Sequence, residues 1–321
     1  MPTPQPNPTP QPNNLRTIES ARRAERQNAA AERSARIAAY RAQFPARPAV
    51  SAAKAVAPGA VALGAAAPAP VPRVLADGDS WFDYPLILGT NGGVIDHLQS
   101  LSGVTILNTA HHGDSVQETL GVEKRQRVES LLQDPGFDVL LFSGGGDDIA
   151  GDQFCLWLKP NTNPNSGHGD PSNAVDTVRL GKIMDIIEAA YRDLIDIRDR
   201  RAPNCWIVTH AYDFPQPTGE GVCGLGPWLR PSLAYRGWTD GAAQFVIVKQ
   251  VMMAFNDRLV ALEAEQKAAG KNFLHVRTQG TLDVATDWDN EIHPNDSGFK
   301  KIAEKFSTAL NGNYPAFPAF P

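Results

Sequence analysis

The sequence predicts an α/β fold with one parallel sheet of five strands, covered by helices on both faces. Two observations carry this. After Arg73, five short apolar runs alternate with five stretches of helical periodicity, the pattern of βαβ units. The runs are also nearly continuous in apolar residues, as strands buried on both faces must be. A third observation bounds the domain. Residues 1–72 hold 12 of the 26 prolines and no Trp, Cys, His or Asp, so only residues 73–321 build a sizeable core.

The N-terminal part, 1–72, divides into three pieces. Pro2 to Pro12 has proline at every second position, which predicts an extended, polyproline-like arm. Leu15 to about Phe44 is rich in Ala, Arg and Glu and lacks Gly and Pro, which predicts a helix with Asn14 as N-cap. Its large apolar residues sit only at the ends: Leu15 and Ile18, then Ile37, Tyr40 and Phe44. That is too sparse for a coiled coil and reads as a solvated tether, with docking to a partner or larger assembly as the alternative. Pro45 to Pro72 is an Ala/Pro/Gly linker whose prolines forbid a regular helix. The start has no basic region and no apolar core, so no standard signal peptide is expected and the default location is cytoplasmic. No run of apolar residues is long and uninterrupted enough for a membrane span.

The strands are expected at 74–76, 104–107, 139–142, 206–208 and 273–276. The helices are expected at about 93–101, 116–133, 176–199, 242–269 and 296–310. In the 176–199 helix, Ile183, Ile186, Ile187, Tyr191 and Leu194 form one apolar face. Two loops, 150–175 and 211–241, are long enough to suggest function. The second begins at His210-Ala211-Tyr212-Asp213-Phe214-Pro215 and is the natural place for specificity.

Ligands of such sheets bind beyond the carboxyl ends of the strands. Four of those ends carry reactive residues. The first strand runs into Asp77-Gly78-Asp79-Ser80, and the second leads to His111-His112-Gly113-Asp114-Ser115. The third runs into Ser143-Gly144-Gly145-Gly146-Asp147-Asp148, and a loop after the fifth holds Asp287-Trp288-Asp289-Asn290-Glu291-Ile292-His293. A serine, glycine-rich turns, carboxylates and a late histidine are what acyl transfer requires: a nucleophile, a base, and N–H donors for an oxyanion.

In these four blocks the sequence resembles the SGNH/GDSL hydrolases, over about residues 73–310. Gly78-Asp79-Ser80 is similar to the family's first block, whose serine is the nucleophile. Gly113 falls where the family has its oxyanion-hole glycine. Gly145-Gly146-Asp147-Asp148 is similar to Gly-x-Asn-Asp, with Asp147 in place of asparagine. Asn290-Glu291-Ile292-His293 is similar to Asp-x-x-His, with Asn290 in place of aspartate. The resemblance implies a three-layer α/β/α domain and a serine esterase. It makes Ser80 and His293 catalytic, with Asn290 or one of Asp147, Asp287 and Asp289 orienting the histidine. It places the oxyanion hole at the Ser80 and Gly113 N–H groups and Asp147. An ionised Asp147 cannot donate, so there it must be protonated, or else serve His293 instead.

Other readings are weaker. Ser115, in a second Gly-Asp-Ser, is expected to N-cap a helix starting near Val116. The triple glycine lacks the Lys-Ser/Thr of a P-loop. His111-His112 has no metal-ligand pattern, and neither do Cys155, Cys205 and Cys223. Cys205 is expected in the core. Three cysteines exclude a disulfide scaffold. No cofactor or metal is expected. Trp81, Tyr84 and Trp288 either line an apolar pocket or wedge the loops. Residues 1–72 carry a net +6 and the remainder −11, which disfavours nucleic acid as a partner of the catalytic part. The expected substrate is a small, acetyl-type ester of a carbohydrate or small molecule. The competing class is a non-catalytic SGNH-fold binding or assembly protein with a degenerate site.

Overall fold

The computed structural model describes residues 12–44, 71–84, 92–133, 136–162, 169–222, 225–314 and 316–318. The proline arm before Pro12, nearly all of the 45–72 linker and Cys223 lie outside the described residues. So do the side chains of Leu15 and Ile18. The chain forms two units, Met1–Phe44 and Pro45–Pro321.

The first unit is helix α1, Pro12–Gln43. It begins two residues before Asn14, so Asn14 lies in the first turn and does not cap it. Proline suits the first turn because its missing N–H would be unsatisfied there anyway.

The second unit holds five strands, β1 (Val74–Gly78), β2 (Ile106–Asn108), β3 (Val139–Ser143), β4 (Trp206–His210) and β5 (Phe273–Val276). They form one sheet in the order β2-β1-β3-β4-β5, with every pair parallel. Helices α2 (Val94–Ser102) and α9 (Asp296–Asn313) pack together in one layer. Helices α4 (Val122–Gln133), α6 (Thr177–Arg201) and α8 (Gly241–Ala268) pack side by side in the other. This is the three-layer α/β/α arrangement the sequence predicts. β1 and β3 are buried throughout, as a sheet covered on both faces demands.

Three details differ. The helix expected over 116–133 is broken into α3 (Val116–Thr119) and α4 at Leu120-Gly121, where glycine weakens a continuous helix. β2 starts two residues late. The Ser102 hydroxyl and the Gln99 side-chain oxygen accept the Val104 and Ile106 N–H groups that a strand partner would otherwise take. Ile186 is exposed, while Ile183, Ile187, Tyr191 and Leu194 are buried. Cys205 is in the core as expected. Short helices α5 (Gly146–Ile149) and α7 (Arg230–Tyr235) and two 3₁₀ turns lie outside the sequence expectations.

The strand order has one reversal. The chain steps from β1 outward to β2, then returns to β3 on the other side. A crevice opens between the carboxyl ends of β1 and β3, where neighbouring connections leave in opposite directions. Ser80 follows β1 and Asp147 follows β3.

Candidate active site

β1 ends at Gly78 with φ +138°, and a Cβ there would lie 2.0 Å from the Ser143 carbonyl oxygen. Only glycine allows the two strands to approach so closely while the chain turns. The Phe82 and Asp83 N–H groups both donate to the Asp79 carbonyl at 3.1 Å, closing the tight turn that holds Ser80. On the far side, the loop after β5 is closed by the Asp289 N–H donating to the His293 carbonyl at 2.9 Å. Asn295 then caps α9 by accepting from the Gly298 N–H at 3.0 Å.

These two segments bring Ser80 Oγ to 2.7 Å from His293 Nε2. His293 Nδ1 is 2.9 Å from Asn290 Oδ1. The same Oδ1 also accepts from the Ile292 and His293 N–H groups, at 3.2 and 3.1 Å. These two backbone donors fix which end of the amide faces the histidine. An amide oxygen only accepts, so Nδ1 carries the ring proton and Nε2 presents its lone pair to Ser80. Burial, with His112 nearby as a lesser cause, pushes His293 down to about 3. The imidazole is therefore neutral throughout the physiological range.

The other carboxylates proposed to serve His293 stand elsewhere. Asp287 pairs with Lys301 Nζ at 2.8 and 2.6 Å and accepts the Asp283 N–H at 2.7 Å. Asp289 accepts from the Tyr84 hydroxyl and, at 3.3 Å, from Asn290 Nδ2. It contacts the Asn290 amide rather than the histidine nitrogen. Ser115 is the N-cap of α3, accepting from the Glu118 N–H at 3.2 Å and completing a capping box. Gly113 lies in the turn between β2 and α3 with φ +76°, and a Cβ there would face open space. That turn is tied to the Ser80 turn by the His111 N–H donating to the Gly78 carbonyl at 2.9 Å. The rings of His111 and His112 stack 4.4 Å apart. Among the described residues no cluster of ligands could hold a metal ion, and no helix is long and apolar enough to cross a membrane.

Asp147 lines the same cavity as Ser80. Its Oδ2 is buried and has no hydrogen-bond partner among the described residues. Burial, then the charges of Asp79 and Asp148, hold it well above the usual carboxylate range. Asp79 is better supplied with donors. Its Oδ1 accepts from the Ser143 hydroxyl at 2.7 Å and the Trp81 N–H at 3.1 Å, and its Oδ2 accepts from the Tyr212 hydroxyl. Burial lifts Asp79 to about 6 despite these donors. Donors favour the ionised form, so Asp79 is the anion of the two and Asp147 the acid. Asp148, by contrast, is structural, accepting the Val116 N–H at 2.8 Å.

Several contributors were not evident from sequence. His210 is fully buried rather than part of a specificity surface. Its Nδ1 accepts from the Tyr212 N–H at 3.2 Å and its Nε2 lies 2.9 Å from Ser143 Oγ, so it supports Asp79 from below. Glu291, between Asn290 and His293, is fully buried. Its carboxylate accepts four backbone N–H groups: Gly219 at 2.9 Å, Trp228 at 2.5 Å, Leu229 at 2.7 Å and Arg230 at 3.0 Å. It pins the 211–241 loop to the histidine loop and leaves the Trp228 ring edge-on to His293 at 5.4 Å. The acidic residue inside the Asn-x-x-His block was its one visible signal. Of the three aromatics, Trp81 lines the cavity and donates from Nε1 to the Ile292 carbonyl at 3.0 Å. Tyr84 wedges against the His293 ring at 4.9 Å. Trp288 packs on Trp81 at 6.4 Å.

No protein-family model and no curated protein matches the chain. Solved structures similar to it include SGNH hydrolases, lipases and carbohydrate esterases. A family 3 carbohydrate esterase of Clostridium thermocellum is 16% identical, covers 77% of this chain and 99% of its own, and has a TM-score of 0.46. A family 3 carbohydrate esterase of Talaromyces cellulolyticus is 15% identical over 75% of this chain and 97% of its own, with a TM-score of 0.43. An extracellular lipase of Streptomyces rimosus is 18% identical over 74% and 99%, with a TM-score of 0.40. At these values the neighbours lend nothing to the assignment of chemistry, which rests on the side chains themselves.

Proposed function

We propose that this chain is a serine ester hydrolase of SGNH/GDSL type. The observation that carries the reading is the buried series Ser80 Oγ, His293 Nε2, His293 Nδ1, Asn290 Oδ1, with links of 2.7 and 2.9 Å. Ser80 Oγ attacks the ester carbonyl carbon while its proton passes to His293 Nε2. Charge gathers on the former carbonyl oxygen. The Ser80 and Gly113 N–H groups and the protonated carboxyl of Asp147 receive it. The C–O bond to the alcohol then breaks, and His293 returns its proton to the leaving oxygen. Water attacks the acyl-enzyme with His293 again as base, and the acid departs.

Two departures from the family pattern find a physical role in this reading. Asp147 replaces an amide donor with a neutral acid donor, kept neutral by burial and by the Asp79 anion. Asn290 supplies an acceptor without charge, as in Cys-His-Asn sites. The charge that steadies the imidazolium stands one residue back, in Asp289, acting on the Asn290 amide at 3.3 Å. The alcohol half of the substrate is a carbohydrate or small molecule. A net −11 over 73–321 repels polyanions.

The test is turnover of p-nitrophenyl acetate by wild type, Ser80→Ala and Ser115→Ala. Ser80→Ala is expected to lose at least ~10³-fold in kcat, and Ser115→Ala to keep the rate. No difference between wild type and Ser80→Ala would leave the non-catalytic binding reading in its place.

A further inference from the structure

Tyr212 follows β4 and is the one non-glycine residue with a positive φ, +57°, among the described residues. Residues other than glycine seldom adopt that conformation, and such outliers gather where function requires them. Two bonds hold it there. The Tyr212 N–H donates to His210 Nδ1 at 3.2 Å, and its carbonyl accepts from the Thr278 hydroxyl at 2.6 Å. So held, the buried side chain reaches the two other turns of the site. Its hydroxyl donates to Asp79 Oδ2, next to Ser80, and accepts from the Gly146 N–H at 2.9 Å, next to Asp147. A Cβ at Gly146 would lie 2.8 Å from Tyr212 Cζ, so the glycine is what admits the ring. Trp81 packs edge-on to that ring at 5.2 Å, and Phe255 stacks on it at 6.0 Å. Tyr212, Asp79, Gly146 and Asp147 all line the cavity beside Ser80.

A phenol has one proton to give. The Gly146 N–H only donates, so the Tyr212 proton goes to Asp79. Burial, and next the charge of Asp79, push the ionisation of Tyr212 well above its ordinary value, so that proton stays on the oxygen. Burial lifts Asp79 to about 6, and Tyr212 is the foremost of the donors that oppose the rise. Donation to a carboxylate favours its ionised form. Burial, and next the charge of Asp79, in turn hold Asp147 above the usual carboxylate range. The other groups facing Asp147 are Asp148, Asp114 and Glu118. Around the phenol stand Tyr191 and His210. Burial pushes His210 down to about 3, which leaves it neutral. None of these is a cation, so hydroxyl and N–H donors settle where the charge sits.

We propose that Tyr212 is a positioning residue for ester hydrolysis: its hydroxyl ties the Ser80 turn to the Gly146 turn, keeps the charge on Asp79 and so leaves the proton on Asp147. This rests on the ester-hydrolase reading and deepens it, because it names the group that makes an acid at position 147 a donor to the oxyanion.

The experiment compares the pH dependence of p-nitrophenyl acetate hydrolysis in wild type, Tyr212→Phe, Asp147→Asn and the double variant. Tyr212→Phe keeps the ring and removes one donor from Asp79. Asp79 then takes up a proton more readily, its charge fades, and Asp147 ionises at lower pH. The alkaline fall should move down by ~1 pH unit. On that side kcat should drop by up to ~10²-fold with KM little changed. An asparagine at 147 donates at every pH, so in that background Tyr212→Phe should cost less than ~3-fold. Tyr191→Phe removes another buried hydroxyl, bonded to the Gly144 carbonyl at 2.9 Å, and should leave the fall in place. An alkaline fall that Tyr212→Phe moves no further than Tyr191→Phe does would overturn the proposal. Equal costs of Tyr212→Phe in the two backgrounds would do the same. Carbon-13 NMR titration of labelled aspartates, assigned with Asp79→Asn and Asp147→Asn, reads the protons without substrate. Asp79 should ionise first in wild type, and the two titrations should converge or change order in Tyr212→Phe. If no ester turns over while the titrations respond in this way, the hydrolase reading falls and the placement of the proton by Tyr212 stands. Titrations that Tyr212→Phe leaves unchanged remove that placement whatever the kinetics show.

Discussion

The turn after β3 and the loop after β5 each bring a carboxyl with buried oxygen to the same serine–histidine pair, and the two are satisfied in opposite ways. Glu291 accepts four backbone N–H groups and has no exposed surface. Asp147 has a buried oxygen, Oδ2, with no donor among the described residues. A carboxylate filled by backbone donors organises the chain around it, and removing it strands those donors. A carboxyl left without donors takes up a proton and becomes a donor itself. Acids of one type, a few residues from the same reacting centre, thus divide into scaffold and chemistry by their hydrogen-bond supply.

The largest expected effect breaks the scaffold side. Glu291→Ala strands four N–H groups in a dry site and should cost about 3 kcal/mol or more in urea denaturation. It should also abolish activity, because Leu229 of the cavity and Trp228 beside His293 lose their anchor. Glu291→Gln keeps one acceptor oxygen and should lose less. Equal stability of wild type and Glu291→Ala would show that the loop is held by other means.

The chemical side is sharpened by Asp147→Asn. In wild type the donor is the protonated acid, so activity should fall as pH rises through the lifted ionisation of Asp147. Its folded-state pKa is raised, so the stability it contributes is full at acid pH, below its unfolded value, and is lost as pH rises through the folded one. The asparagine variant donates at every pH. It should lose the alkaline fall, gain up to ~10²-fold in rate at high pH and be at least as stable there. A lower rate at every pH would mean that Asp147 serves the histidine instead.

Asn290→Asp should have a smaller effect. The new carboxylate would face Asp289, which now lies 3.3 Å from Asn290 Nδ2, so repulsion offsets the gained charge. A change below ~3-fold is expected for the single variant, with a gain only when Asp289→Asn accompanies it. A large gain from Asn290→Asp alone would mean that Asp289 contributes nothing.

Smallest of all is the acid limb. His293 is pushed down to about 3, so kcat/KM should show no fall near the ordinary histidine value of about 6.5. The unfolded chain takes up that proton first, so stability attributable to His293 is present above about 6.5 and is lost as pH falls toward 3. A clear inflection near 6.5 would place the imidazole in water rather than in the protein.

What the sequence made legible follows from the reach of each signal. Apolar runs and helical periodicity located all five strands and the long helices, because burial repeats along the chain. The order of four short blocks at strand ends brought out Ser80, Asn290 and His293. The tie between Glu291 and the 219–230 backbone showed only as an acidic residue inside the last block, since a carboxylate bonded to main-chain N–H groups selects no side-chain pattern in its partners. The Asp79, Ser143, His210 and Tyr212 network was hidden for a related reason. Its members come from three strand ends that only the sheet order places side by side. The cavity wall, gathered from Ile149, Phe154, Leu229, Val248 and Met252, is likewise a product of packing.

One measurement bears most directly on the claim that Ser80 is a nucleophile activated by a neutral His293. Wild type, Ser80→Ala and His293→Ala would be treated with a fluorophosphonate probe, and the modified peptide identified by mass spectrometry. The label is expected on Ser80 in wild type, absent in Ser80→Ala and slowed by at least ~10²-fold in His293→Ala. A wild-type protein that stays unlabelled, or carries the label on Ser115, would contradict it.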